Sequence, residues 1–185
     1  MQQQELSALS FFASCGIFDR QRKGEYALKH KLKLALRLLL LLSVMAAIFA
    51  FSSQPADESQ KLSDGFLDCL RAFLGFLPEI EGNAGKNIRK CAHFFEFMCM
   101  GMASELFFSE LYIDRQKRLL RSGAVSAAVC AMYACSDEFH QLFVPGRSCQ
   151  AADVFIDGAG AALGIALVLA CYVLKIRKAG HSDNG

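Results

Sequence analysis

Three groups of ionisable residues, far apart in the chain, have the types and spacing that do chemistry. Lys90, His93 and Glu96 are spaced i, i+3, i+6, so at about 100° per helical residue they share an arc of roughly 120°. Asp137, Glu138 and Gln141 fall at about 0°, 100° and 40° on a continuing helix, and Asp153 and Asp157 stand one turn apart. Arg89 adjoins the first group, and Arg147 lies in the stretch joining the second to the third. Arg89, Lys90 and Arg147 suit a phosphate or carboxylate, Arg147 in bidentate fashion, with Glu96, Asp137 and Glu138 fixing those cations. A second chemistry is hydrolysis or transfer on a lipid-linked substrate. There His93 is general base or metal ligand, and Glu96, Glu138, Asp137 and His140 complete the site. HxxE alone is a weak pattern, and no assigned nucleophile accompanies it. A third reading is purely structural, with the charges pairing to fix helix register. No cofactor and no metal is expected: the eight cysteines contain no CxxC pair, and within apolar stretches a thiol is ordinarily a small apolar filler.

The elements that position these residues are apolar. The chain has 185 residues, 54% of them hydrophobic, and a formal charge of +2, which argues against disorder and against a nucleic-acid-binding polycation. Its apolar residues gather into four stretches, about 33–51, 91–109, 119–139 and 154–174. Each is near the roughly 20 residues that cross a bilayer core. Only helices or closed barrels satisfy every backbone group in lipid, so four transmembrane helices are expected. For the first stretch a signal peptide competes, since a basic segment precedes an apolar run ending in Ile48-Phe49-Ala50.

With four spans, fourteen of the twenty Lys and Arg residues fall on one side, and the positive-inside rule places both termini in the cytoplasm. Span two then starts outside, span three ends outside and span four starts outside, which brings the three polar groups to one membrane face. Charged groups in lipid cost about 2.5 to 3.5 kcal/mol each at mid-membrane on insertion scales, so they are expected to face inward around a polar pocket. Leu62, Phe66, Leu70, Phe73, Leu74 and Leu77 recur at helical spacing before Pro78, predicting an amphipathic helix on the outer surface or capping the bundle. Leu6 to Phe18 carries a weaker signal of the same kind. Gly160 and Gly164 form a GxxxG pattern on the face that bears Asp153 and Asp157, suited to close helix packing. Glu105, deeper in span two, is expected to snorkel or pair at the cytoplasmic edge, and Cys69 and Cys149 share the outward side, where they could pair.

Two stretches then become recognisable: Arg89-Lys-Cys-Ala-His-Phe-Phe-Glu-Phe97, and Ser136-Asp-Glu-Phe-His-Gln-Leu-Phe-Val-Pro-Gly-Arg147 followed by Asp153-Val-Phe-Ile-Asp157-Gly-Ala-Gly160. With Phe51-Ser-Ser-Gln54 they resemble the VanZ-like family of small polytopic membrane proteins, over roughly residues 35 to 175. The resemblance maps the family's recurrent polar positions onto Lys90, His93, Glu96, Asp137, Glu138, Gln141, Arg147, Asp153 and Asp157. It implies an all-α membrane domain at 32–175, a cytoplasmic segment at 1–31 and a cytoplasmic tail at 176–185. The family's namesake is associated with low-level resistance to the glycopeptide teicoplanin, itself lipid-bearing. Two positions depart from the pattern: Phe97 where the family usually has Tyr, and Asp157 where it usually has Asn. The first removes a hydroxyl, and the second adds an acid that could share a proton with Asp153 or Glu138. The expected partners are therefore the bilayer and a lipid-linked or amphiphilic small molecule, with no nucleic acid.

Overall fold

The computed structural model describes residues 2–74, 84–112 and 115–182, with side chains described for 24–65, 68, 88–112 and 119–178. The 6–18 run, the apolar positions from Phe66 to Leu77, Cys69 and His181 fall outside the described side chains. Five helices follow in order: α1 Gln2–Ser52, α2 Ala56–Leu74, α3 Ala84–Leu111, α4 Arg115–Gln141 and α5 Ala151–Ser182. The described residues contain no strand. The chain forms two compact units, Met1–Leu39 and Leu40–Gly185. In the first, the described part of α1 is largely exposed and carries an i,i+4 pair between Lys29 and Glu25 at 2.6 Å.

In the second unit, local chemistry sets the helix ends. Pro55 lacks an N–H and cannot continue α1, but its carbonyl accepts from Ser59 N–H and so opens α2, whose first turn holds Asp57 and Glu58 where the helix dipole favours acids. The chain beyond α4 tightens through i→i+3 bonds from Leu142, Phe143 and Val144 to Phe139, His140 and Gln141. Pro145-Gly146 then turns it. Gly146 has φ 74°, and a Cβ there would sit 3.0 Å from Ala56 Cβ, while Ala56 N–H donates to Pro145 O at 3.1 Å. The turn after α4 and the start of α2 are thus stitched backbone to backbone.

The distribution of polarity is inverted relative to a water-soluble globule. The interior holds Ser104, Glu105, Ser122, Ser126, Asp137, Glu138 and Asp157 beside Phe97, Ile48 and Met100. Large apolar side chains such as Leu39, Leu42, Phe49, Met132, Phe143, Phe155 and Leu167 face outward. Three segments, Gly24–Ser52, Leu119–Gln141 and Ala151–Lys178, are long and apolar enough to cross a membrane. α3 is long enough but is not among them, because His93, Glu96 and Glu105 interrupt its apolar character. The exterior is that of a protein solvated by hydrocarbon, with its polar groups turned inward.

α3 packs chiefly on α5, then on α4, and α2 packs on α3. The α3–α5 contact is close because glycine removes the side chain where the backbones meet. A Cβ on Gly160 or Gly164 would fall onto the carbonyls of Phe94 and Met98, and one on Gly101 onto the carbonyl of Ala161. Gly101 completes this seam from the α3 side.

Glu105 corrects the snorkelling expectation. It is 0% exposed, and it accepts from Ser122 Oγ at 2.6 Å and Ser126 Oγ at 3.0 Å, two hydroxyls one turn apart on α4. A carboxylate with interior donors has no reason to reach for the interface. Glu105→Gln keeps acceptor capacity for one hydroxyl, whereas Glu105→Ala strands both. The alanine variant is expected to lose about 2 kcal/mol, and the glutamine variant about half of that, read as thermal unfolding in detergent.

Cys130 alone among the described cysteines is buried. Cys91, Cys99, Cys135 and Cys171 face outward, and Cys149 carries a free thiol rather than a disulfide.

Candidate functional site

The polar groups converge where α1 ends, α3 and α5 begin and α4 finishes. Asp137, the innermost acid of α4, is 3% exposed, and its Oδ2 accepts from Ser52 Oγ at 2.7 Å and Gln141 Nε2 at 3.1 Å. Its Oδ1 is left without a hydrogen-bond partner. Ser52, the last residue of α1, is fully buried by this contact. Nothing in its local sequence marks the serine as a partner of an acid 85 positions away.

Asp157, in the second turn of α5, is 1% exposed, and both of its carboxylate oxygens lack hydrogen-bond partners. His93 Nδ1 lies 4.0 Å from Asp157 Oδ1 and 3.9 Å from Glu96 Oε2, and these facing atoms of His93 and Glu96 are buried and unpartnered as well. Around this centre the charges are better matched. Lys90 Nζ pairs with Asp153 Oδ1 at 2.7 Å, and Glu138 Oε2 accepts Gln150 N–H at 3.0 Å.

Arg147 works differently from a free anion receptor. Its Nε donates to Gln54 O at 2.9 Å and its Nη2 to Phe51 O at 3.0 Å, so most of the guanidinium is spent on carbonyls at the C-terminal end of α1. Helix C-termini expose such carbonyls and carry partial negative charge. Nη1 remains buried without a partner. Burial draws the Arg147 guanidinium below its ordinary value, and Arg89 pushes the same way, but an arginine stays charged. Arg89 engages no hydrogen bond or ion pair among the described residues.

His140, enlisted above for a hydrolytic site, turns elsewhere. Its Nε2 is 3.1 Å from Ser53 Oγ, and its ring packs against Phe49 with centroids 4.7 Å apart. It braces the end of α1.

Two cavities meet at the cluster. A small polar one, about 40 Å³, is bordered by Arg89, Lys90, His93, Glu138, Asp153 and Asp157. A larger one of about 460 Å³ runs alongside α2 and α3, lined by apolar groups such as Leu62, Ile88, Ala92 and Phe95. Arg89, His93 and Arg147 border both.

No curated protein and no solved structure matches the chain. The family model described as VanZ/LLP1 matches residues 37–174, a stretch that takes in every polar position just described and about three quarters of the sequence. On that match, which agrees with the motifs around His93 and Asp137, the chain belongs to the VanZ-like family.

Proposed function

We propose that this protein binds an anionic amphiphile of the cell envelope, its headgroup in the polar cavity and its tail in the apolar one. The observation carrying this reading is the juncture of the two cavities at Arg89, His93 and Arg147. An amphiphile needs that pairing, a few convergent polar groups beside a mostly apolar volume. Arg89 is the cation of the site with its whole guanidinium to spare among the described residues, since Lys90 holds Asp153 and Arg147 keeps only Nη1 beyond its two carbonyls.

In this reading α3 joins α1, α4 and α5 as a fourth membrane span, and α2 lies on the outer surface over the apolar cavity. The Lys and Arg distribution supports both termini in the cytoplasm, with the pocket opening to the outer leaflet of the cytoplasmic membrane. Occupation by lipid-bearing teicoplanin, or by an outer-leaflet lipid it meets, connects the site with the resistance associated with the family's namesake.

The test is binding of a fluorescent phosphatidylglycerol and a phosphatidylcholine analogue to the purified protein in detergent. Wild type is expected to prefer the anionic lipid, with Arg89→Gln weakening it about tenfold and leaving the zwitterionic analogue unchanged, as loss of one charge-assisted contact implies. Equal affinity for both lipids, or an Arg89→Gln variant indistinguishable from wild type, refutes the reading.

A further inference from the structure

We infer that His93, Asp137 and Asp157, with Glu96 at the edge, form a binding site for a divalent transition-metal cation. His93 and the two aspartates each offer one ligand atom, and the three atoms lie within 4.8 Å of one another. Ligands on an ion with bonds of about 2.1 Å stand about 3.4 Å apart in a tetrahedral site, and about 3.0 Å (cis) or about 4.2 Å (trans) apart in an octahedral one. The separation of 4.0 Å between His93 Nδ1 and Asp157 Oδ1 already lies in this range, and small side-chain rotations close the widest gap.

The hydrogen bonding points to the same occupant. Buried polar atoms are almost always paired, yet His93 Nδ1, Glu96 Oε2, Asp137 Oδ1 and both oxygens of Asp157 are buried without a hydrogen-bond partner, on the three residues whose ligand atoms gather and on Glu96 beside His93. One cation satisfies these acceptors at once, which ionised carboxylates cannot do for one another because they only accept; a shared proton or Arg147 Nη1, itself buried without a partner, is the competing donor. Ser52 and Gln141 hold the other oxygen of Asp137, which fixes the direction of Oδ1, as outer hydrogen bonds do for metal ligands. Charge agrees as well. The site sets the acids Glu96, Asp137, Glu138, Asp153 and Asp157 against Arg89, Lys90 and Arg147, leaving a formal deficit of two with every carboxylate ionised.

An imidazole nitrogen among carboxylates suits zinc, manganese or iron(II) better than calcium, which takes six to eight oxygens. The polar cavity borders His93 and Asp157, so a coordination position is open toward it for water. A phosphate oxygen of the headgroup would also fit there, a corollary that rests on the amphiphile reading, whereas the cation site itself does not.

The test is cobalt(II) titration of chelator-stripped protein in detergent, followed by visible absorption. Wild type is expected to develop d–d bands saturating at one cobalt per chain and bleached by zinc. Asp157→Asn and His93→Gln are each expected to weaken binding at least tenfold, while Lys175→Gln, exposed toward the far end of α5, binds cobalt as wild type does. Wild type that shows no d–d bands and retains no zinc or manganese after desalting overturns the proposal, as does binding unchanged in both ligand variants. The wild-type titration decides the matter if gel filtration shows a variant to be aggregated. Lipid binding in the same preparations, read separately, reports on the amphiphile reading alone.

Discussion

Gly164→Leu is expected to lower the thermal unfolding midpoint in detergent by roughly 10 °C or to abolish a monodisperse product. The added side chain must enter where α5 meets the Met98 carbonyl and the Met102 amide of α3, and backbone cannot move aside as a flexible side chain can. Overpacking of ordinary cores costs about 1–3 kcal/mol, and a backbone obstruction belongs at or above the upper end. At about 2–4 °C per kcal/mol for a chain of this size, the shift follows. Gly164→Ala is expected to fall between the leucine variant and wild type, since its Cβ already meets the carbonyl. Gly158→Leu supplies the control: nothing lies within 4 Å of a Cβ at that position. Equal melting of the Gly164 and Gly158 leucine variants would show that the α3–α5 seam does not carry the stability assigned to it.

The second large effect concerns Arg147. Arg147→Met keeps the apolar stem but removes the donors to Phe51 and Gln54 and withdraws a half-buried positive charge from beside several buried acids. Stripping one partner from a buried charge constellation costs about 3–5 kcal/mol, so the variant is expected to melt at least 6 °C lower in dilute detergent. Arg147→Lys is expected to recover less than half of that loss. A lysine retains the charge, but a single ammonium does not reproduce the planar fork that reaches two carbonyls at once. Full recovery by lysine would show that charge alone matters and that the tie to the end of α1 is incidental.

Much of this polar cluster was legible in the sequence, for a specific reason. Lys90, His93 and Glu96, and likewise Asp153 and Asp157, are close in sequence on single helices, so helical periodicity alone puts them on common faces. The all-helical fold was legible because long apolar runs in lipid admit few other solutions. What stayed hidden depends on partners distant in the chain. Ser52 reads as the polar end of an apolar run, and only tertiary structure brings it to Asp137. His140 sits three residues from Asp137, close enough to suggest a shared role, yet Ser53 and Phe49 claim its ring. Glu105 looked like a residue for the interface because hydropathy registers its charge and not the two serines that meet it. The start of α2 was missed because apolar repeats begin only at Leu62, whereas the helix is opened earlier by Pro55, Asp57 and Glu58.

The glutamate–serine contact has a consequence for biosynthesis. Ser122 and Ser126 follow Glu105 by 17 and 21 residues, so the ribosome releases the acid before either hydroxyl that receives it. On the four-span topology, α3 reaches the translocon carrying His93, Glu96 and Glu105 with none of their later partners yet made. A segment in that state gains little from partitioning singly into lipid. On that topology it is expected to wait until α4 emerges, so that the two enter as a hairpin before α5 packs on them. Membrane integration of α3 is then a property of the length of nascent chain already synthesised rather than of its own hydrophobicity.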